Sequence, residues 1–176
     1  MAYIKRPRIE IRLTTLDYII EVFSILSIFC SLLLLILFWI TAPDIVPTHY
    51  NIHGEIDKYG SKMIIVAFSL FLLTTNAVTY VLIKFLNKYP DSFNFPVAVT
   101  EQNAFFLYKT ATRMVRWVNL LVCLLFTHSI WGLAMGITFN NLCYHILFWS
   151  LITCIIVIPV ISIVKIKKRV KNNETL

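Results

Sequence analysis

The chain has 176 residues, enough for one domain, yet 59% of it is hydrophobic and only 14% charged, against roughly 45–50% and 25% in soluble proteins. A soluble fold of this length cannot hide so much apolar surface, so the composition excludes one and makes the lipid bilayer the expected solvent and partner. The net charge of +7 follows membrane topology, and nucleic acid is not an expected partner.

The first 17 residues are basic, with Lys5, Arg6, Arg8 and Arg12. Four apolar stretches follow, at 18–40, 63–85, 117–137 and 142–164. Each is about the 20 residues needed to cross a hydrocarbon core of roughly 30 Å. Lipid offers the backbone no hydrogen-bond partner, so all four are expected to be helices. The first is too long for the apolar core of a signal peptide and lacks a small-residue cleavage site, so it is expected to be retained. The expected fold is an all-α integral membrane protein, a bundle of four transmembrane helices.

Between the first two spans lies "PTHYNIHGEIDKYGSK", Pro47 to Lys62, a polar island. Pro43 and Pro47 end the first helix and force an extended exit. His49, Asn51, His53, Glu55 and Asp57 alternate with less polar neighbours, a strand-like period. Gly54 suggests a hairpin closed by His53, Gly54 and Glu55, which would pair Ile52 with Ile56 and Asn51 with Asp57. Gly54 and Gly60 are candidates for left-handed turn conformations. His49 and Lys62 are both within reach of Asp57 in such a hairpin, and Ser61 is a candidate cap for the second helix. His49 and His53 stand roughly 13 Å apart along a strand and cannot share a zinc ion. A site built from His49 and Asp57 across the hairpin is the remaining metal geometry.

The loop after the second span carries Lys84, Lys88, Lys109, Arg113 and Arg116. Its "KYPDSFNFPVAV" segment is expected to be extended, and a helix is expected from Thr100. That helix either lies on the membrane surface or continues into the third span. Gly132 and Gly136 form a G-x-x-x-G in the third span, a spacing for close helix packing within the chain or in a homodimer. The connection to the fourth span is short. The segment 165–176 forms a basic tail. Of the 16 basic residues, 14 fall on one side of the four spans. The positive-inside rule therefore puts both termini in the cytoplasm. Residues 1–12 and 171–176 are expected to be mobile.

Polar groups inside the spans are candidates for function. Asn76 and His128 are expected near mid-membrane, close enough to hydrogen-bond each other. Glu21 lies one turn inside the first span, within snorkelling reach of the cytoplasmic interface. Cys30, Cys123, Cys143 and Cys154 all lie in apolar stretches with no metal or disulfide spacing, and read as small hydrophobes.

"APDIVPTHYNIHGEIDKYGSK" resembles the signature of DUF1648, a membrane domain of unknown function found also at the start of SdpI-type toxin-immunity proteins. Pro43, Pro47, His49, Asn51, Gly54, Asp57, Tyr59, Gly60 and Lys62 carry the resemblance, and "FNFPVAVTEQNAFFLYKTATRMVRW" looks like the stretch that follows in that family. Ala42 and His53 depart from the pattern. The resemblance implies a bacterial cytoplasmic-membrane protein whose outer loop matters, with His49, Asn51, Gly54, Asp57, Tyr59 and Lys62 as its binding residues. Three functions follow as expectations. One is an immunity or sensing factor that meets a secreted peptide at the loop and signals to a cytoplasmic regulator. The second is a transporter or channel using Asn76 and His128. The third is a metal-dependent envelope enzyme at His49 and Asp57. No cofactor is expected.

Overall fold

A computed structural model describes residues 6–51, 53, 55–135 and 141–174. The elements are helix α1 (Thr15–Thr41), strands β1 (Ile45–Tyr50) and β2 (Ile56–Ser61), helix α2 (Lys62–Leu86), a 3₁₀ turn (Pro90–Ser92), helix α3 (Ala104–Met135) and helix α4 (Leu142–Glu174). All four α-helices are long and apolar enough to cross a membrane.

Each helix outruns its apolar stretch, because hydropathy marks where lipid begins and not where helical hydrogen bonding ends. At α1 the extension is a cap: the Asp17 carboxylate accepts from the Thr14 N–H (2.8 Å) and hydroxyl (2.7 Å), which satisfies a first-turn donor. The exit is set by Pro43, which holds Ala42 extended. Ser61 caps α2 by accepting from the Met63 N–H (3.3 Å). For α3 the extension is largest. Its first dozen residues are no separate surface helix but the start of one continuous helix. Thr100 and Asn103 exchange backbone-to-side-chain bonds ahead of it. The preceding loop, expected to be extended, turns instead through Pro90–Ser92.

The four helices do not form a closed bundle. α3 is the hub, packed on α1, α2 and α4, while α4 rests on α3 and stands apart from the other two. Small polar residues share the interior with apolar ones such as Ile20, Leu35 and Phe38. The inward face of α1 carries Asp17, Ser24, Ser27 and Ser31, whereas Phe23, Leu26, Phe29, Leu33 and Leu37 point outward. Lipid is as apolar as leucine, so these helices gain by presenting small polar residues to each other. The Thr127 hydroxyl shows how: it lies 2.6 Å from Ser27 Oγ and 2.8 Å from Ser31 Oγ, and it donates to the Ser27 carbonyl at 2.9 Å.

The end of the bundle opposite the hairpin has its own small core. Ala104, Leu107, Tyr108 and Ile166 are buried there, with Ile9, Ile11, Phe95, Val97 and Val170 around them. The N-terminal segment was expected to be mobile, yet from Arg6 onward it is strapped across this core. The Arg6 guanidinium donates to the carbonyls of Asp91 (2.9 Å) and Phe93 (2.6 Å), and the Tyr108 hydroxyl donates to the Pro7 carbonyl (3.0 Å). α4 likewise stays helical to Glu174, within the expected tail.

Candidate functional site: the hairpin end

β1 and β2 pair antiparallel, with Ile45 opposite Ser61, Pro47 opposite Tyr59 and Tyr50 opposite Ile56, and with irregularities on both sides of His49. The expected register was different, with Asn51 opposite Asp57. The reversal instead begins at Asn51, because that side chain folds the turn. Its Oδ1 accepts from the N–H groups of His53 (2.9 Å) and Glu55 (3.0 Å), and its Nδ2 donates to the Glu55 carboxylate (2.9 Å). Its own N–H donates to the Glu55 carbonyl (2.9 Å). This is an Asx turn, which offers the backbone a local alternative to the ladder. The Ile52 and Gly54 positions lie outside the described residues. Asn51→Ala removes three of these four bonds and is expected to lower hairpin stability by about 1–2 kcal/mol; faster amide exchange at His53 and Glu55 would report it.

The irregularity at His49 brings its ring over the neighbouring strand. His49 Nδ1 lies 2.6 Å from Asp57 Oδ1, and both side chains are substantially exposed. A carboxylate only accepts, so Nδ1 carries the proton. In the neutral ring that leaves Nε2 as an acceptor for a ligand's donor. Among the described residues no third His, Cys, Asp or Glu completes a metal-ligand set with them. Tyr59 is exposed on β2.

Lys62 does not reach Asp57. Its side chain turns back to the end of α1, where Nζ meets Asp44 Oδ1 (3.1 Å), donates to the Ala42 carbonyl (3.2 Å) and lies 5.1 Å from the Trp39 ring centroid. With the Lys62 N–H donating to the Asp44 carbonyl (2.9 Å), it fastens the hairpin base to two helices at once. Gly60 does not supply a left-handed turn either. It sits in β2, where a Cβ would stand 3.0 Å from Thr48 Cγ2 and 3.3 Å from Ile64 Cδ1. Glycine is there for close approach across the ladder.

Beneath the hairpin lies a cavity of about 680 Å³. Phe38, Val46, Pro47, Ile65, Phe68 and Leu133 make its apolar wall, and Thr48 and Tyr144 contribute polar atoms. Its size falls in the roughly 300–1,000 Å³ range of ligand sites. Nothing in the sequence announced it, because it is assembled from the ends of α1 to α4 and β1.

Asn76 and His128 do not meet. Asn76 lies fourteen residues into α2 from Lys62 (76 − 62), about 21 Å along the helix from the hairpin end. His128 lies close to that end. It stacks on Tyr144 at a centroid distance of 4.1 Å, and its Nε2 donates to the Tyr144 carbonyl at 3.2 Å. Asn76 is fully buried, and neither amide atom has a partner among the described residues.

The sequence reading also missed a cluster of ion pairs between α1, α2 and α3. Arg113 grips Asp17 with Nε at 3.0 Å and Nη2 at 3.2 Å, and Arg116 Nε donates to Glu21 at 3.2 Å. Lys84 stands 3.9 Å from the second Glu21 oxygen. The spacing held the signal: acids four apart on α1 and arginines three apart on α3 each fall on one helix face.

Residues 26–75 match the family model for DUF1648, a domain of unknown function. The match takes in most of α1, the whole hairpin and half of α2, within a protein of four candidate membrane spans. The stretch 93–117, which looked like a continuation of the family, lies beyond that match. No curated protein and no solved structure is significantly similar to the chain.

Proposed function

We propose that the hairpin end is a recognition site for a secreted peptide, and that the protein is an immunity or sensing factor of the bacterial cytoplasmic membrane with both termini inside. One observation carries this reading: an apolar cavity of about 680 Å³ opens beneath a rigidly anchored hairpin whose exposed rim bears the His49–Asp57 pair. An apolar peptide side chain fits the cavity, and a peptide N–H fits His49 Nε2. Asn51 and Lys62 hold that rim in shape without facing the ligand. In the sensing form, occupancy would pass through α3, the helix packed on all three others, to a cytoplasmic regulator at the other end. A wet path through Asn76 and His128 fits less well, because the two lie at different depths on different helices.

The test is photo-crosslinking in intact cells with the reactive group at Thr48, which lines the cavity. A secreted peptide is expected in the adduct, and both His49→Ala and the cavity-filling Ile65→Trp are expected to abolish it without lowering thermal stability by more than a few degrees. Adducts with lipid and the protein's own helices alone would reduce the hairpin to a structural cap.

A further inference from the structure

At the end opposite the hairpin, a second cavity of about 470 Å³ opens between α3 and α4. Four cations line it, Lys109, Arg113, Lys165 and Arg169, and no carboxylate does. Arg113 is already neutralised by Asp17. Among the described residues, Lys109, Lys165 and Arg169 have no carboxylate partner. Two of them rest on aromatic faces. Lys109 Nζ lies 5.5 Å from the Phe105 centroid, and the Arg169 guanidinium lies 5.0 Å from that of Phe106. Such contacts orient a cation without cancelling its charge. Along the helices, towards the middle of the spans, the same groove becomes apolar on Met114, Trp117, Ile158 and Ile161.

We propose that this groove holds one anionic phospholipid, its phosphate among Lys109, Lys165 and Arg169 and an acyl chain along Met114, Ile158 and Ile161. Charge complementarity selects the headgroup, and the apolar wall selects a lipid over free phosphate. Basic pockets between spans take such headgroups on the cytoplasmic side, which agrees with the orientation proposed above. The site shares no residue with the hairpin cavity, so either proposal can fail without the other.

The purified full-length protein in neutral detergent would be titrated with phosphatidylglycerol, with phosphatidylcholine and with sodium phosphate, and bound lipid read by native mass spectrometry. Phosphatidylglycerol is expected to be retained at least tenfold more tightly than phosphatidylcholine and to resist displacement by phosphate. Lys165→Gln with Arg169→Gln should weaken it roughly thirtyfold, at about fivefold per cation near the surface. Lys167→Gln with Lys168→Gln removes equal charge from the same helix outside the groove and should weaken it far less. Equal retention of phosphatidylcholine, equal loss in the control, or displacement by phosphate at matching concentration would each overturn the proposal. If the first double variant unfolds, Lys109→Gln alone, with its expected fivefold loss, decides the matter.

Discussion

Replacing Arg113 with leucine is expected to destabilise the folded protein by about 3 kcal/mol, the low end for stranding one member of a buried ion pair. The stranded group is Asp17, whose side chain is 5% exposed and whose two oxygens take the Arg113 fork at 3.0 and 3.2 Å. The low end applies because Arg113 itself is 31% exposed, so water already screens part of the pair. Thr14 would still donate to the carboxylate, which also limits the loss. The double variant Asp17→Leu with Arg113→Leu should recover most of it. Removing both charges ends the desolvation penalty and leaves a residual of about 1 kcal/mol from the lost α1 cap. Reversible unfolding in mixed micelles, compared across the two single variants and the double, measures the coupling directly. Additive losses would show that the two side chains act independently and that the contact contributes nothing net.

The reason this pair was invisible in the sequence bears on how much of the fold was legible. The four spans could be read because their signal is bulk hydropathy, which needs no neighbour. Ser61 as a cap is a local pattern and was equally plain; Gly136, the second glycine of the G-x-x-x-G, lies outside the described residues. What could not be read was which polar residues face inward. Arg113 and Arg116 counted as loop charges because the apolar stretch begins at Trp117, and only the continuous α3 helix turns them towards α1. Ser24, Ser27 and Ser31 sit in a greasy helix without a signal of their own, yet they lie on its packing face. At the hairpin, alternation gave the strand period but not the register, because the Asn51 side chain starts the reversal and a period of two cannot see a side-chain bond. The roles of Lys62 and Gly60 depended on what each meets across the ladder, Asp44 for one and Thr48 for the other. The cavity is a property of four helix ends and had no sequence signal at all.

The contact of α3 with α4 gives the second large effect. Gly132→Leu is expected to cost about 3 kcal/mol, and Gly132→Ala about 1 kcal/mol, the range for overfilling a packed interface. A Cβ at this position would lie 2.6 Å from two carbons of the Tyr144 ring, so even alanine must push that ring aside. Tyr144 has little room to give, because its other partners hold it: it stacks on His128 at 4.1 Å and lies 6.0 Å from the Trp131 ring centroid. α4 packs on α3 and on little else, so no second interface compensates when the ring moves. The same displacement would distort the wall of the hairpin cavity, to which both Gly132 and Tyr144 belong. Stability loss and loss of the Thr48 crosslink should therefore appear together. Adding Tyr144→Ala to Gly132→Leu should restore about half of the lost stability by giving the leucine the volume of the ring. A Gly132→Ala protein as stable as the parent would show that α4 can slide outward freely, and a double variant no better than Gly132→Leu would place the clash somewhere other than Tyr144.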